Sequence, residues 1–352
     1  MADYTSSASF WFEAILLSSI LVAVFAFLGI IFTRRMGLLD FPGSAPHKTH
    51  SVPVPIAGGM ALVGALLISG WIFETYRDPA VMATLGGGLI VFIFGLWDDI
   101  RGMSPVVKLM GQVLAAVVLI RLGVSIKIFH SPEFFISGHG LLFSGLNFIA
   151  TILWVVGLTN AFNFVDSMDG LALGLGGMAA AFFMVVTLDS GQIDLSRISA
   201  LLLGVCIGLY FFNSSPAHLF LGDSGAQSLG FVLASLGIAF HPLDVNQASS
   251  WFVPIMLLAV PIFDTTLVVF SRLRRRKAVY KASIDHTYHR LLSMGLSSSR
   301  AVLLMQLTAL FLGCLAFLVL PYSPLLSNTV FVSVVIAGFI LLLLLDDRKR
   351  WG

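Results

Sequence analysis

Phe148–Ala172, FIATILWVVGLTNAFNFVDSMDGLA, decides how this chain is read. Its first half is apolar and suited to the interior of a bilayer. It then carries two amides, Asn160 and Asn163, and two carboxylates, Asp166 and Asp169, with no Lys or Arg beside them. Another apolar run resumes almost at once. Polar caps for two adjacent helices account for one or two of these residues but not easily for four. At 100° per residue, Asn160 and Asn163 share a helical face and so do Asp166 and Asp169, but Asn160 and Asp169 point in opposite directions. All four can serve one site only if the helix breaks or tilts before Gly170.

The rest of the chain has the same character. Hydrophobic residues make up 58% of 352 and charged residues 11%, with mean hydropathy +0.97, whereas a soluble domain is about 25% charged. The expectation is an all-α polytopic membrane protein, one membrane domain over 1–352. Cys206 and Cys314 both lie in apolar runs, where a thiol behaves as a small hydrophobe, so neither a disulfide framework nor a cysteine metal site is expected. The first apolar run, Phe10–Phe32, has Asp3 before it, Glu13 in its first turn and Arg34-Arg35 after it. That is the reverse of a cleavable signal peptide and implies a retained span with its N-terminus outside.

A spanning helix needs about 20 mostly apolar residues. Eleven segments qualify: 10–32, 56–74, 80–97, 105–122, 146–164, 171–188, 197–213, 224–240, 250–271, 300–320 and 328–345. Threaded from an outside N-terminus, they leave 16 Lys and Arg residues in the cytoplasm against Arg77, Arg121, Lys127 and Arg197 outside. The positive-inside rule favours that orientation, with the C-terminus cytoplasmic. The dense polar connections then all fall on the cytoplasmic face. The longest outer loop, around SIKIFHSPEFFISGHG, alternates enough for a small hairpin. An ion-coupled transporter is the competing class, since carboxylates at membrane depth mark ion pathways. Transporter sites lie near the midplane, however, and these acids cluster at one end.

Asp98 and Asp99, in GLWDDIRG, sit where the third span ends. An acidic pair there suffers mutual repulsion and the negative end of the helix dipole unless a cation is near; Arg101 and Lys108 are in reach. Asp223, between two glycines in LFLGDSGAQSLG, reads either as a helix N-cap or as an oxygen ligand for Mg²⁺, which takes one or two protein oxygens and completes its shell with phosphate and water. Asn163 offers a carbonyl oxygen to the same ion. In ASIDHTYHRLLSMG, His286, His289 and Arg290 suit phosphate, and zinc lacks an obvious third ligand. The neighbouring RLRRRK run is by default a topology determinant and lipid-surface anchor. Lys48, flanked by His47 and His50, lies in a loop stiffened by Pro46, Pro53 and Pro55. Carboxylates and an amide for Mg²⁺, with separate cations around them at a membrane face, describe phosphoryl transfer, which needs positioning and charge neutralisation more than covalent help.

The motifs HKTHSVPVPIAGG, GLWDDIRGMSPVVKL, NAFNFVDSMDGLA, FLGDSGAQSLGF, PIFDT and DHTYHRLLSMG, in this order from Lys48 to Gly295, resemble the polyprenyl-phosphate N-acetylhexosamine-1-phosphate transferases. The resemblance implies an enzyme of the bacterial cytoplasmic membrane that moves a sugar-1-phosphate from a UDP-N-acetylhexosamine to undecaprenyl phosphate and releases UMP. It implies Mg²⁺ as cofactor, or Mn²⁺ in its place, the lipid bilayer as setting, no nucleic-acid partner, and leaves a homodimer open. By the same resemblance, Asp223 and Asn163 hold the metal, and Asp98 and Asp99 are the catalytic pair at the lipid phosphate with Lys108 as counter-charge. Lys48, Asn160, Asp166, Asp169, His286, His289 and Arg290 bind substrate, and Asp264 buttresses the site. Where the family's motif often reads His-x-His-His before Arg-Leu-Leu, this chain has Tyr288 at the third position. The phospho-muramoyl-pentapeptide branch of peptidoglycan synthesis would carry three consecutive histidines. The branch that primes O-antigen, teichoic acid or capsule, using UDP-N-acetylglucosamine or a relative, therefore matches better.

Overall fold

The computed structural model describes residues 4–42, 52–132, 136–242, 245–277 and 285–346. Its helices are α1 (Tyr4–Met36), α2 (Gly58–Ile72), α3 (Pro79–Arg101), α4 (Pro105–Arg121), α5 (Leu141–Val165), α6 (Leu171–Asp189) and α7 (Ile193–Asn213). They continue as α8 (Gly222–Ala239), α9 (Gln247–Ser250), α10 (Val253–Leu257), α11 (Ala259–Arg274), α12 (Thr287–Ser293), α13 (Ser298–Val319) and α14 (Pro324–Leu345). Each apolar segment expected to span coincides with one of these helices, or with α9 to α11 taken together. The chain is an all-α multi-pass membrane protein. Among the described residues, seven helices are long and apolar enough to cross a bilayer, and eight if α9 to α11, bent by 69°, make one span.

The shortfall from eleven has a physical reason. Helix α2 has 15 residues, about 22 Å at 1.5 Å each, against a hydrocarbon core of about 30 Å. Helix α4 has 17 residues and carries Lys108 in its first turn. Helix α8 carries Asp223, Ser224, Gln227, Ser228 and Ser235, and every residue from Ser224 to Gly237 is buried. It is the bundle's central post, surrounded by protein rather than lipid. Helices α2, α3 and α5 pack directly on it, and small residues allow backbones that close. A Cβ at Gly95 of α3 would stand 2.5 Å from the Cα of Ser224.

One short pairing fixes the start of α8. Strands β1 (Leu39–Asp40) and β2 (Val54–Pro55) run antiparallel, and the chain beyond β2 lies along the approach to α8. The Phe220 N–H donates to the Pro55 carbonyl at 2.9 Å, and the N–H groups of Gly58 and Gly59 donate to Phe220 and Leu221 at 3.0 Å each. The loop carrying Asp223 is thus set by main-chain bonds. The outer loop expected as a hairpin is instead a 3-10 turn, Ile128–His130, with no strand among its described residues. Side chains of α5 take its N–H groups in place of a partner strand: Ile126 donates to Thr151 Oγ1 at 3.0 Å and Phe129 to Asn147 Oδ1 at 3.1 Å.

Gly95→Ala is expected to lower thermal stability in detergent by about 1–3 kcal/mol through overpacking. Gly86→Ala, where an added Cβ meets nothing within 4 Å, is expected to cause no loss in the same unfolding measurement.

Candidate active site

The polar termini of α3, α4, α5, α6 and α8 meet at one end of the bundle. Asp98 and Asp99 occupy the last turn of α3, and each is relieved differently. Gly102, at φ +71°, turns the chain so that α4 returns beside α3. This brings the Lys108 ammonium to 2.8 Å from Asp98 Oδ2, while Asp98 Oδ1 accepts the Met103 N–H at 2.5 Å. The same ammonium hydrogen-bonds Asp223 Oδ2, so one cation ties α3, α4 and α8 together. Asp99 accepts from the N–H of Asp223 at 2.7 Å, the N–H of Ser224 at 3.1 Å and the Ser224 hydroxyl at 2.6 Å. It therefore caps α8, whose own N-cap, Leu221, offers no side-chain cap. The positive end of α8 is its counter-charge.

The break in NAFNFVDSMDGLA falls where the geometry required it. Helix α5 ends at Val165, and Gly170, at φ +74°, starts α6. The Gly170 N–H donates to Asn213 Oδ1 at 3.0 Å, and its carbonyl accepts from Gln306 Nε2 at 3.2 Å. Asp166 and Asp169 are half-buried in this turn, and Asp169 Oδ2 accepts the Ala217 N–H at 3.2 Å. Burial raises the Asp166 carboxyl well above the ordinary aspartate range, and the negative charges of Asp99 and Asp169 push the same way. Asn163 is half-buried one turn before Asp166. Asn160 is engaged with protein: its Nδ2 donates to Gln112 Oε1 at 2.7 Å and to the Val156 carbonyl at 2.8 Å.

The histidine segment docks on this turn. Asp264 Oδ2 lies 2.8 Å from His286 Nδ1, and Asp264 Oδ1 accepts the Thr287 N–H at 2.6 Å. One carboxylate thus orients the imidazole and starts α12. The His286 ring is 5.9 Å from Phe164 on the last turn of α5, and 5.8 Å from the His289 ring. The Tyr288 ring lies 3.9 Å from the His289 ring. Arg290, expected on a substrate phosphate, is 1% exposed. Its Nη1 donates to the Leu345 carbonyl at 2.6 Å, its Nη2 to Ser271 Oγ at 2.8 Å and its Nε to the Asp285 carbonyl at 3.1 Å. Asp346, at the end of α14, lies 3.3 Å from both Arg290 and Arg275 and 2.8 Å from Arg274. Arg275 also reaches Asp285 at 3.1 Å. These arginines form a clasp between α11, α12 and α14, with Arg290 at its buried centre.

Lys48, with His47 and His50, lies outside the described residues. Sequence reasoning passed over Gln112, Ser224, Gln227, Ser271 and Asp346. For the glutamines a signal existed: Gln112 follows Lys108 by four residues and Gln227 follows Asp223 by four, the spacing of one helical face. Among the described residues, no three of His, Cys, Asp and Glu group closely enough to hold a metal by themselves. The donors that Asp223, Asp166 and Asn163 would offer are hard oxygens, of the kind that Mg²⁺ supplements with phosphate and water.

The fold and site define a helical membrane protein with acidic, amide and basic side chains converging at one end of its bundle. Residues 81–241 match the family model described as glycosyl transferase family 4. The chain is 30% identical to a probable undecaprenyl-phosphate N-acetylglucosaminyl 1-phosphate transferase of Bacillus subtilis, covering 78% of this chain and 75% of that one. It is 33% identical to a decaprenyl-phosphate N-acetylglucosaminephosphotransferase of Mycolicibacterium smegmatis, over 80% and 75%. It is 26% identical to an undecaprenyl-phosphate alpha-N-acetylglucosaminyl 1-phosphate transferase of Escherichia coli K12, over 92% and 89%. The chain belongs to glycosyl transferase family 4.

Two outcomes follow from the charges. With its pKa raised, Asp166 holds its proton more tightly folded than unfolded, so between the two values the native state binds more protons and stability falls as pH rises. Asp166→Asn is expected to raise the melting temperature of metal-free protein at pH 7.5, with the gain vanishing below about pH 4. Arg290→Ala leaves the buried Leu345 and Asp285 carbonyls without this donor and is expected to cost about 1–3 kcal/mol of stability, read as a lower melting temperature rather than as weakened ligand binding.

Proposed function

We propose that the chain transfers an N-acetylhexosamine-1-phosphate, N-acetylglucosamine first among the sugars, from its UDP derivative to undecaprenyl phosphate, releasing UMP. The reaction would prime a cell-surface glycan at the cytoplasmic face of the bacterial inner membrane, with the N-terminus outside. The observation that carries this reading is the Lys108 ammonium bound between Asp98 and Asp223, at the end of the bundle that also holds Asp166, Asp169, His286 and His289. The names of the relatives support the sugar and the polyprenyl phosphate, and the positive-inside bias supports the orientation.

In the proposed chemistry, an oxygen of the lipid phosphate forms a bond to the β-phosphorus of the UDP-sugar. The bond from that phosphorus to the bridging oxygen breaks, and UMP leaves with its electron pair. A phosphate monoester's second pKa is near 6, so the acceptor is largely dianionic at neutral pH and needs little base catalysis; Asp98 is the base where a proton must move. Lys108 is placed to neutralise charge between acceptor and donor phosphates. Asp99, by capping α8, sets where Asp223 stands. His286, oriented by Asp264, faces the donor side together with His289. Asp223 and Asn163 are the proposed ligands of Mg²⁺, which when bound would offset the charge of the diphosphate.

The experiment is UMP release from UDP-N-acetylglucosamine with undecaprenyl phosphate and Mg²⁺ in detergent. Wild type is expected to turn over, and Asp223→Ala to lose about 10²-fold or more while still inserting and folding. UMP released without the lipid would contradict direct attack, and failure of a whole panel of UDP-sugars would overturn the reading.

A further inference from the structure

Beneath the ionic groups lies a layer of amides that the proposed chemistry leaves unused. Gln112 stands one turn past Lys108 on α4, Gln227 one turn past Asp223 on α8, and Asn160 one turn before Asn163 on α5. Three helices thus each place an amide one turn deeper than a group assigned to the reaction. Gln112 is 2% exposed and Gln227 1%. Their side chains join in series. Asn160 Nδ2 donates to Gln112 Oε1 at 2.7 Å, Gln112 Nε2 donates to Gln227 Oε1 at 2.9 Å and to Asn160 Oδ1 at 3.2 Å, and Gln227 Nε2 donates to Asp223 Oδ2 at 3.4 Å.

The direction of this series is determined by its ends. An ionised carboxylate only accepts hydrogen bonds, and so does the Val156 carbonyl that takes the second Asn160 N–H at 2.8 Å. Gln227 must therefore turn its NH₂ to Asp223 and its carbonyl to Gln112, which must answer with its own NH₂. Flipping any one amide sets oxygen against oxygen in a buried place, where an unmade bond is costly. A series built only to tighten packing has no need to end on a carboxylate. This one ends on Asp223 Oδ2, the oxygen that Lys108 also takes. Among the described residues no donor is aimed at Oδ1, so both contacts fix the rotamer through one oxygen and leave the other for a ligand.

We infer that Gln227, Gln112 and Asn160 are positioning residues that hold the Asp223 carboxylate with one oxygen presented to a divalent cation. Asn160 then acts through Gln112 and not on substrate. The inference rests on the proposed role of Asp223 as a metal ligand, and the test separates the two.

The test is Mn²⁺ binding to the full-length protein in detergent, without substrates, read as loss of the free-ion electron paramagnetic resonance signal. Wild type is expected to bind, and Asp223→Ala to lose binding. Gln227→Leu is expected to weaken binding by about 10–100-fold, the usual cost of removing a partner that orients a metal ligand, and Gln112→Leu to weaken it less. Ser228→Ala, which removes a buried hydroxyl on α8 outside the series, is expected to bind as wild type. If Gln227→Leu does not fold, Gln227→Met keeps the volume and carries the same expectation. Wild-type affinity in both Gln227 variants, with Asp223→Ala binding-deficient, would overturn the relay and leave the metal reading standing. No Mn²⁺ binding by wild type would overturn both.

Discussion

Everything at the polar end of this bundle depends on how five aspartates, 98, 99, 166, 169 and 223, are kept tolerable near one another with, among the described residues, Lys108 shared between two of them. Each is relieved by a different means. Lys108 is divided between Asp98 and Asp223. Asp99 borrows the positive end of α8 through three hydrogen bonds, and Asp169 takes one main-chain N–H. Among the described residues Asp166 has neither cation nor cap, and burial raises its pKa. A site with this residual negative charge is matched to divalent cations and to ligands that bring them.

The central helix makes this arrangement possible. Because α8 is enclosed by α2, α3 and α5, its first turn is reached from several sides. Glycines at the crossings bring Asp99 and the Gly58-Gly59 turn against the same few residues, and Gly222, at φ +68°, has the Asp99 carboxylate 2.7 Å from where a Cβ would stand. A larger residue at any of these crossings would move Asp223 as well as loosen the packing. Stability and the proposed chemistry are therefore coupled through one helix start.

Much of this was legible in the sequence, and the reasons are physical. Twenty-residue apolar runs report directly on a bilayer, and the break expected before Gly170, were Asn160 and Asp169 to serve one site, is present after Val165. Hydropathy does not distinguish a helix buried in protein from one facing lipid, so the central place of α8 was hidden. Arg290 shows a different limit: an arginine in a basic loop looks available for phosphate, and only the packing of α11 and α14 around it reveals Ser271 and Asp346 as its partners. Gln112 and Gln227 sat at the right spacing, but an amide in an apolar helix does not announce which neighbour it will bind.

The arginines at the end of α11 and in α12 thus have work to do within the fold, where they clasp α14 to α11 and α12. The most direct measurement of the central claim is the position of Mn²⁺ by anomalous diffraction from crystals soaked with Mn²⁺ and a UDP-sugar. The expected result is a peak beside Asp223 and Asn163, with the Lys108 ammonium shifted toward Asp98. A peak at His286 and His289, with Lys108 still bound to Asp223, would contradict it.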